Sequence, residues 1–572
     1  MLELTGGEAL LRSLLSENVR HVFGIAAGKL VNFMHAMANE PDIRYTGTRH
    51  EAAAAHMAAA VWASTGQIAV AMAEAGPGGA NLVPGVASAF NNSLPLLALT
   101  SNNQHFASYP GRGMFMELDT QSVFRPITKF TAVVHDGRRI PELVRRAFRE
   151  ALSGRPGPVH LDVPQDILAS TFRFDIDEFS LPPAAYRCTE RTPPARHALE
   201  AAAALLENAK RPLIIAGGGV SAAQAAPQAQ ALAAAVNGAA TSTQMGTGAI
   251  PTNHPNFVGH GGVIGGPALL RAFEEADVIL AAGCRFSSWL WNEHGAMVKR
   301  SQQLIHIDIN PAAIGANAPV TVGICADAKV ALTELLALLR PERAQGSREW
   351  LQGLVAEYRR YHQQVAGLTT AAGATMHPAA LAAAIGAHLP SDALVTFDGG
   401  HTTFWSNELT PAHAPRTRFH DPGMAQLGFG LPYALALRLV HPGQPVFNIT
   451  GDGAFGFMLQ ELDTARRYEL PVVNIIHNNE AWGVIRSGQQ RSKSFEFGVD
   501  LSGTDYAAIA RGFGCHGERV TEPGQVQPAL DRALASGLPA VLDCRVVFEP
   551  HPCMAAFGKM GTAGGLTRPG SQ

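Results

Sequence analysis

The sequence has no strong excess of either charge and no long apolar segment. Its 44 Lys and Arg residues nearly balance 47 Asp and Glu residues, so the formal net charge is -3 and the pI is near 6.7. This balance gives no electrostatic reason to expect nucleic acid or an anionic membrane surface as a partner. No uninterrupted apolar run reaches the roughly 18 residues that a spanning helix needs. We therefore expect no nucleic acid and no membrane among the partners, and a small-molecule substrate instead.

Cysteine is scarce as well. Six cysteines are scattered over 572 residues and no two form a C-x-x-C pair, which argues against structural zinc and favours reduced thiols. The first residues mix Glu and Arg into the apolar positions of an amphipathic helix and lack the pattern of a signal peptide. A cytoplasmic location is the expectation that follows.

The sequence does contain an alternation of strand-like apolar runs with Ala- and Leu-rich helical stretches, over a length typical of about three domains. The segments at 66–103 and 443–479 share one order of features: Gly-Gln, strand, Gly-x-Gly, helix, Leu-Pro, strand and Asn-Asn. Corresponding landmarks lie 375 to 377 residues apart. We therefore predict an α/β protein with three doubly wound parallel-sheet domains, of which the first and third are related to each other.

Two aperiodic segments, 179–196 and 340–350, are rich in Pro or in charge and mark the predicted seams between domains. The predicted domains lie at 1–180, 190–340 and 355–550 and are followed by a tail at 551–572. The tail is Gly-rich and either folds over the site as a lid or stays disordered. In the central domain, Gly217–Gly219 follows a strand and either presents helix amides to a phosphate or forms a tight turn.

The stretch NITGDGAFGF places Asp452 between two glycines where a strand passes into a helix. The free amides at a helix start suit an anion, which the carboxylate would repel unless a cation lay between them. Mg²⁺ that bridges Asp452 to a phosphate resolves this conflict. Asn479 belongs to the Asn pair after the next strand, which returns to the same sheet edge. The structural alternative is that Asp452 caps the helix and the Asn pair forms a turn.

This arrangement resembles the metal-diphosphate motif of thiamine diphosphate (ThDP) enzymes. The resemblance covers nearly the whole chain and points to the acetohydroxyacid synthase branch, which includes benzaldehyde lyase and oxalyl-CoA decarboxylase. The other stretches that carry it are RHEAAAAHMA, AGPGGANLVPGVASAF, RPITK, SGRPGPVHLDVPQDIL, HIDIN and LGFGLPYALA. The chain is identified as a member of this superfamily, which implies ThDP and Mg²⁺ as cofactors.

The resemblance also implies a role for each matched residue. The side chains of Asp452 and Asn479 and the carbonyl of Ala481 match the metal ligands. Glu51 matches the catalytic glutamate that hydrogen-bonds the aminopyrimidine ring and shares a proton with it; without the resemblance it is a charge at a helix start. The remaining implied cofactor-binding residues are His401, Thr402, Ala425, Leu427, Gly451, Gly453, Ala454, Trp482 and Gly483. A solvated loop position for His401 and a plain core position for Leu427 are the alternatives.

The implied chemistry proceeds through a C2 ylid and a carbanion or enamine intermediate. Protonation of that intermediate gives decarboxylation or lysis, and a second carbonyl gives carboligation. The implied function is therefore an acetolactate-synthase-like lyase or carboligase that acts on a 2-oxo acid or 2-hydroxyacyl substrate. The alternatives are a simple 2-oxo acid decarboxylase, although the sequence has no His-His pair, a 2-hydroxyacyl-CoA lyase and a non-catalytic binding subunit.

The substrate-facing positions depart from the synthases, which carry Gln-Trp where this sequence has Ser487-Gly488. The substrate candidates are Lys29, where benzaldehyde lyase has histidine, and Phe115 and Arg486. A surface lysine is the alternative for Lys29. Relatives bind FAD, ADP or no nucleotide in the central domain. They also form homo-oligomers, dimers or tetramers, which implies that Glu51 of one chain serves the cofactor of its neighbour at a subunit interface.

Overall fold

The computed structural model describes residues 1–108, 111–292, 295–371 and 375–554. Three parallel sheets of six strands each follow one another along the chain, and helices flank each sheet. Within the described part of the chain, every helix is too short or too polar to cross a membrane. Of the predicted tail only 551–554 is included, so the prediction of a lid lies outside the described residues.

The first domain carries a six-stranded sheet and a separate small antiparallel pair. Its strands are β1 (Leu2–Thr5), β2 (His21–Gly24), β3 (Arg44–Gly47), β4 (Val70–Ala73), β5 (Leu97–Asn102), β6 (Thr131–Val133), β7 (Val159–Pro164) and β8 (Thr171–Phe174). Its helices are α1 (Gly6–Ser16), α2 (Val31–Ala38), α3 (Glu51–Thr65), α4 (Pro77–Asn92), α5 (His105–Ser108), α6 (Thr120–Phe124), α7 (Ile140–Leu152) and α8 (Gln165–Ala169). The parallel sheet has the order β3-β2-β4-β5-β7-β6, and β1 pairs with β8.

The central domain has a different strand order. Its strands are β9 (Pro212–Ala216), β10 (Ala239–Ser242), β11 (Phe257–His260), β12 (Val278–Ala282), β13 (Trp291–Asn292), β14 (Gly295–Ala296), β15 (Gln303–Asp308) and β16 (Val322–Cys325). Its helices are α9 (Arg196–Asn208), α10 (Gly218–Ala222), α11 (Ala226–Ala235), α12 (Gly266–Glu275), α13 (Ala328–Leu338) and α14 (Arg348–Ala366). The order β11-β10-β9-β12-β15-β16 reverses direction between β9 and β12, and that switch point is where a doubly wound sheet opens a crevice.

The third domain repeats the first. Its strands are β17 (Leu394–Phe397), β18 (Arg418–Phe419), β19 (Val446–Gly451), β20 (Val473–Asn478), β21 (His516–Val520) and β22 (Ala540–Arg545). Its helices are α15 (Pro378–His388), α16 (His401–Leu409), α17 (Gly430–Val440), α18 (Asp452–Phe455), α19 (Glu461–Arg467), α20 (Gly483–Lys493), α21 (Tyr506–Gly512) and α22 (Pro523–Ala535). The order β18-β17-β19-β20-β22-β21 matches the first sheet strand for strand, which confirms the predicted relationship between the two domains.

One buried core joins the first and third domains. It contains residues of α3, α4 and α17, such as Ala58, Val86 and Leu435. The helix α3 is rich in alanine and buried on all sides over most of its length, because small side chains let both neighbours approach closely. A Cβ added at Gly85 of α4 would lie 2.6 Å from the Cβ of Ala55. This packing fixes the start of α3 at the boundary between the two related domains.

Candidate active site

Asp452 stands where β19 passes into α18, and its side chain is buried. Its Oδ1 accepts a hydrogen bond of 2.9 Å from the main-chain N–H of Gly453, whereas its Oδ2 is buried with no hydrogen-bond partner among the described residues. Burial raises the pKa of Asp452 to about 6, opposed by main-chain hydrogen bonds from Gly453 and Ala481 and by the charge of Arg545. A buried carboxylate oxygen without a partner is available to a divalent cation.

Asn479 and Ala481 lie in the turn after β20, the strand that pairs with β19. The main-chain N–H of Ala481 donates a hydrogen bond of 3.1 Å to the Oδ1 of Asn479 and also contributes to the hydrogen bonding of Asp452. Between them Glu480 has a φ of 55°, in the left-handed region that non-glycine residues rarely adopt. The tight turn after β20 therefore places Asn479 and Ala481 at the end of the sheet where β19 leads into Asp452.

His401 and Gly483 border the same turn. A Cβ added at Gly483 would lie 2.8 Å from the Nδ1 of His401 and 3.4 Å from the Nδ2 of Asn479. The Nε2 of His401 is 3.0 Å from the hydroxyl of Ser487, and its Nδ1 is buried without a hydrogen-bond partner among the described residues. Burial, with Arg491 nearby, lowers the pKa of His401 to about 4, so its ring is neutral at pH 7. His401 is thus a buried side chain, which removes the alternative of a solvated loop histidine.

The two glycines that flank Asp452 let neighbouring side chains approach the backbone closely. A Cβ added at Gly451 would lie 3.1 Å from the hydroxyl of Thr402, and one added at Gly453 would lie 2.6 Å from the indole ring of Trp482. Thr402 is therefore adjacent to the end of β19, and Trp482 covers the first turn of α18. Both side chains pack on a backbone surface that only glycine lets them approach this closely.

Ala425 and Leu427 belong to a loop that is held by both related domains. Asp421 accepts hydrogen bonds from the Ser88 hydroxyl of α4, at 2.8 Å, and from the main-chain N–H of Gln426, at 3.1 Å. Ala425 has a φ of 53°, and Leu427 is half-buried, so it is not a plain core residue.

Gly428, the residue after Leu427, packs this loop against the segment that begins at Asp452. A Cβ added at Gly428 would lie 2.6 Å from the Cβ of Phe457 and 3.5 Å from the carbonyl oxygen of Ala454. The buried carboxylate of Asp398 accepts a hydrogen bond of 3.0 Å from the N–H of Gly428. The loop therefore presents Leu427 next to the predicted cofactor-binding residues of α18.

Glu51 is the first residue of α3, and it is only 7% exposed. Its Oε2 accepts a hydrogen bond of 3.0 Å from the side-chain amide of Asn81 in α4. Within one chain, no hydrogen bond or ion pair of the described residues joins Glu51 to Asp452 or Asn479. The structure thus places Glu51 in the first domain, whereas Asp452 and Asn479 belong to the third. Asn81 is a partner that sequence reasoning missed.

Lys29 and Phe115 come together in the first domain. The Nζ of Lys29 lies 5.8 Å from the ring centroid of Phe115 and 3.9 Å from a carboxylate oxygen of Glu74. The side chain of Lys29 is only 12% exposed, so it is not an ordinary surface lysine. Glu74 was missed by sequence reasoning, although an acidic residue directly after the strand β4 is the kind of pattern that marks Asp452 in the third domain.

Arg486 is engaged by acidic neighbours. Its Nε lies 3.0 Å from Glu496, its Nη2 pairs with Asp500, and its guanidinium carbon lies 5.1 Å from the ring centroid of Phe548. Two carboxylates therefore already neutralise the positive charge of Arg486, the residue that the sequence made a candidate for contact with the substrate.

The central domain contributes a cavity of about 690 Å³ that also touches the first and third domains. Its lining includes Arg155, Arg285 and Asp308. The Gly217–Gly219 turn is tightly packed, because the N–H groups of Gly217 and Gly219 donate to the carbonyls of Ala282 and Gly283, at 2.9 and 3.1 Å. These two amides are used within the fold, which favours the tight turn over a phosphate site at this position.

Comparison with known proteins gives the same order of domains. Three family models match one after another along the chain. They are "Thiamine pyrophosphate enzyme, N-terminal TPP binding domain" over 4–123, "central domain" over 199–335, and "C-terminal TPP binding domain" over 398–544. The probable acetolactate synthase large subunit of Methanocaldococcus jannaschii is 31% identical, over 99% of this chain and 95% of its own.

Two bacterial relatives agree. The acetolactate synthase isozyme 3 large subunit of Escherichia coli K12 is 31% identical, over 93% of this chain and 92% of its own. The acetolactate synthase large subunit of Haemophilus influenzae is 29% identical, over 94% and 93%. With three domain models in order and relatives that match nearly the whole chain, the protein belongs to the thiamine diphosphate-dependent enzymes of the acetohydroxyacid synthase superfamily.

Proposed function

We propose that the protein is a ThDP- and Mg²⁺-dependent C–C bond lyase or carboligase that acts on a 2-oxo acid or a 2-hydroxyacyl compound. The observation that carries the proposal is the buried, unpartnered Oδ2 of Asp452, at a strand end where Gly453 and Gly483 let Trp482 and His401 approach the backbone closely. A cation at this oxygen and a diphosphate beside these residues satisfy both features together.

The residues present fit both groups. Asp452, the side chain of Asn479 and the carbonyl of Ala481 would hold Mg²⁺, since all three offer hard oxygen ligands. Ala454 and Trp482, together with the neutral ring of His401 and the hydroxyl of Thr402, would line the diphosphate. Ala425 and Leu427 would support the two rings of ThDP. When bound, ThDP supplies a carbon nucleophile and an electron sink for breaking and forming C–C bonds.

Glu51 would hold a proton at the pyrimidine ring nitrogen, and Asn81 would keep its carboxylate in place. We propose that Glu51 serves the cofactor bound to a second copy of the chain, because Glu51 lies on the first domain and the residues around Asp452 lie on the third. Exposed apolar side chains support this arrangement: Phe115 of the first domain is 77% exposed and Phe457 of the third is 48% exposed. A homodimer or homotetramer would cover both and exclude water from the reacting carbon.

The central cavity is of a size that suits a nucleotide, and we propose FAD or ADP as its ligand. The guanidinium groups of Arg155 and Arg285 both donate to the carbonyl of Asn91, at 3.3 and 2.7 Å, so two cations converge on one wall. Such a wall suits a diphosphate. The absorbance spectrum of the purified protein tests FAD, and chromatography of the acid extract tests ADP; an extract with neither contradicts this assignment.

The test of the main proposal combines binding with a product screen. Calorimetry with ThDP and Mg²⁺ should show saturable binding, and the holoenzyme should release CO₂ or an aldehyde from a 2-oxo acid or 2-hydroxyacyl compound. Glu51→Gln should keep the fold and lose nearly all turnover, whereas Glu3→Gln, in an exposed ion pair with Arg173, should behave as wild type. A silent titration, or a Glu51→Gln variant with most of its activity, contradicts the proposal.

A further inference from the structure

The ion pair of Lys29 and Glu74 lies in the first domain at the carboxyl ends of β2 and β4, which are neighbours in the sheet. Oε2 of Glu74 accepts a hydrogen bond of 3.1 Å from the main-chain N–H of Lys29, while Oε1 lies 3.9 Å from the Nζ of Lys29. One carboxylate therefore contacts both the backbone and the ammonium of the same lysine.

Glu74 is itself held in one orientation. Its Oε1 accepts hydrogen bonds from the hydroxyl of Ser101, at 2.9 Å, and from the main-chain N–H of Ala75, at 3.1 Å. The Glu74 and Lys29 side chains are 20% and 12% exposed, so each is mostly enclosed but still reaches open space. The carboxylate of Glu74 thus has a fixed position and is not a mobile surface charge. Together with Lys29 it forms the charged surface that we call the wall.

This wall adjoins Glu51. A Cβ added at Gly78 would contact the Oε1 of Glu51 at 3.3 Å and the Cβ of Glu74 at 3.4 Å, so both glutamates flank the same glycine. On the other side, Phe115 lies 5.8 Å from the ammonium of Lys29 and is itself exposed. A substrate that reaches the ring bound by Glu51 would pass beside the ion pair and this aromatic ring.

We propose that Glu74 is a specificity-determining residue of the proposed reaction, and that by pairing with Lys29 it removes the preference for an anionic carbonyl acceptor that a lone ammonium would create. The inference rests on the proposed function. A lone ammonium would attract a carboxylate, but here a fixed carboxylate beside the ammonium repels the same anion, so the two effects oppose each other. A hydroxyl or carbonyl group can accept from Lys29 without meeting that repulsion.

The experiment compares two acceptors, propanal and 2-oxobutanoate, with the 2-oxo acid donor found in the product screen. Both have an ethyl group on the reacting carbonyl carbon, which carries hydrogen in propanal and a carboxylate in 2-oxobutanoate. In each reaction the donor loses CO₂, its acyl carbon bonds to the carbonyl carbon of the acceptor, and one proton is taken up to give a 2-hydroxyketone or its 2-carboxylate. The measured quantity is the ratio of kcat/KM for 2-oxobutanoate to kcat/KM for propanal. Wild type should give a ratio of one or less.

Two single variants should move this ratio in opposite directions. Glu74→Gln frees the ammonium and should raise the ratio about tenfold, while Lys29→Met leaves the carboxylate unopposed and should lower it about tenfold. The double variant should return close to the wild-type ratio. Circular dichroism and the melting temperature verify that each variant is folded.

If the ion pair were purely structural, its loss would change kcat/KM for both acceptors by the same factor and leave the ratio constant. If the donor still releases CO₂ and the ratio stays constant in both single variants, this inference is wrong and the proposed function stands. If no 2-oxo acid releases CO₂ in the wild-type holoenzyme and ThDP does not bind, the proposed function fails first, and the inference with it.

Discussion

The main-chain N–H of Arg49 lies within hydrogen-bonding distance of both carboxylate oxygens of Glu461, at 3.0 and 3.2 Å. This contact joins the first domain to the third only two residues before Glu51. Burial raises the pKa of Glu461 to about 7, opposed by hydrogen bonds from Thr464 and from the main chain of Arg49 and His50. The start of α3 is therefore held by a carboxyl group that titrates near neutral pH.

The first prediction concerns the pH dependence of stability. Because the folded-state pKa of Glu461 is raised from 4.5 to about 7, the folded state keeps a proton that the unfolded state has released. The contribution of this group to the free energy of unfolding therefore falls as pH rises from about 4.5 to about 7, by on the order of 3 kcal/mol. Glu461→Gln lacks this titration and should gain stability relative to wild type over that range.

Urea unfolding at pH 5 and pH 8 measures the difference. Glu3→Gln, which alters an exposed carboxylate, is the control and should follow the wild type at both pH values. Equal pH dependence in Glu461→Gln and wild type would show that Glu461 does not titrate as described.

The second prediction concerns the backbone surface beside Asp452. Gly453→Ala should weaken ThDP binding strongly, because its Cβ would lie 2.6 Å from the Trp482 ring and would force that ring away, at a cost of about 1–3 kcal/mol. Gly512→Ala is a matched control, since nothing lies within 4 Å of an added Cβ there. Calorimetry with ThDP and Mg²⁺ compares the two, and equal affinities would argue against this surface as the diphosphate site.

The third prediction concerns the support of the same turn. The hydroxyl of Tyr506 donates a hydrogen bond of 2.9 Å to the carbonyl oxygen of Asp452. Tyr506→Phe removes it, and a net loss of about 1 kcal/mol corresponds to roughly fivefold weaker ThDP binding. Tyr361→Phe, in α14, removes a hydroxyl outside the site and should leave the affinity unchanged. A Tyr506→Phe variant with wild-type affinity would show that the turn does not need this support.

The fourth prediction concerns the metal. In wild type, a chelator should lower the affinity for ThDP and added Mg²⁺ should restore it. Asp452→Asn should bind ThDP at least about tenfold more weakly, with little response to Mg²⁺, because the anionic ligand is gone. Titrations with and without chelator provide the measurement. If wild-type protein binds ThDP tightly in the presence of the chelator, Mg²⁺ is not part of the proposed site.

The fold was largely predictable because strand-turn-helix patterns repeat in the sequence at a constant offset, and the two sheets have the same strand order. Contacts between strands that are distant in sequence were not predictable. Lys29 and Glu74 are separated by 45 residues, and nothing in the sequence shows that β2 and β4 are neighbours. The partners of Arg486 were not predictable for another reason: Glu496 and Asp500 are near in sequence, but they lie in the irregular segment after its helix, where no periodic pattern shows which side chains meet.

The shared core of α3, α4 and α17 also has a consequence for folding during synthesis. The alanine-rich face of α3 is completed by α17, which begins at Gly430, several hundred residues after α3. Until that part of the chain leaves the ribosome, the first domain lacks a wall of its own core, whereas the central domain can close its separate core earlier. The first and third domains should then fold as one cooperative unit around a central domain that is already formed.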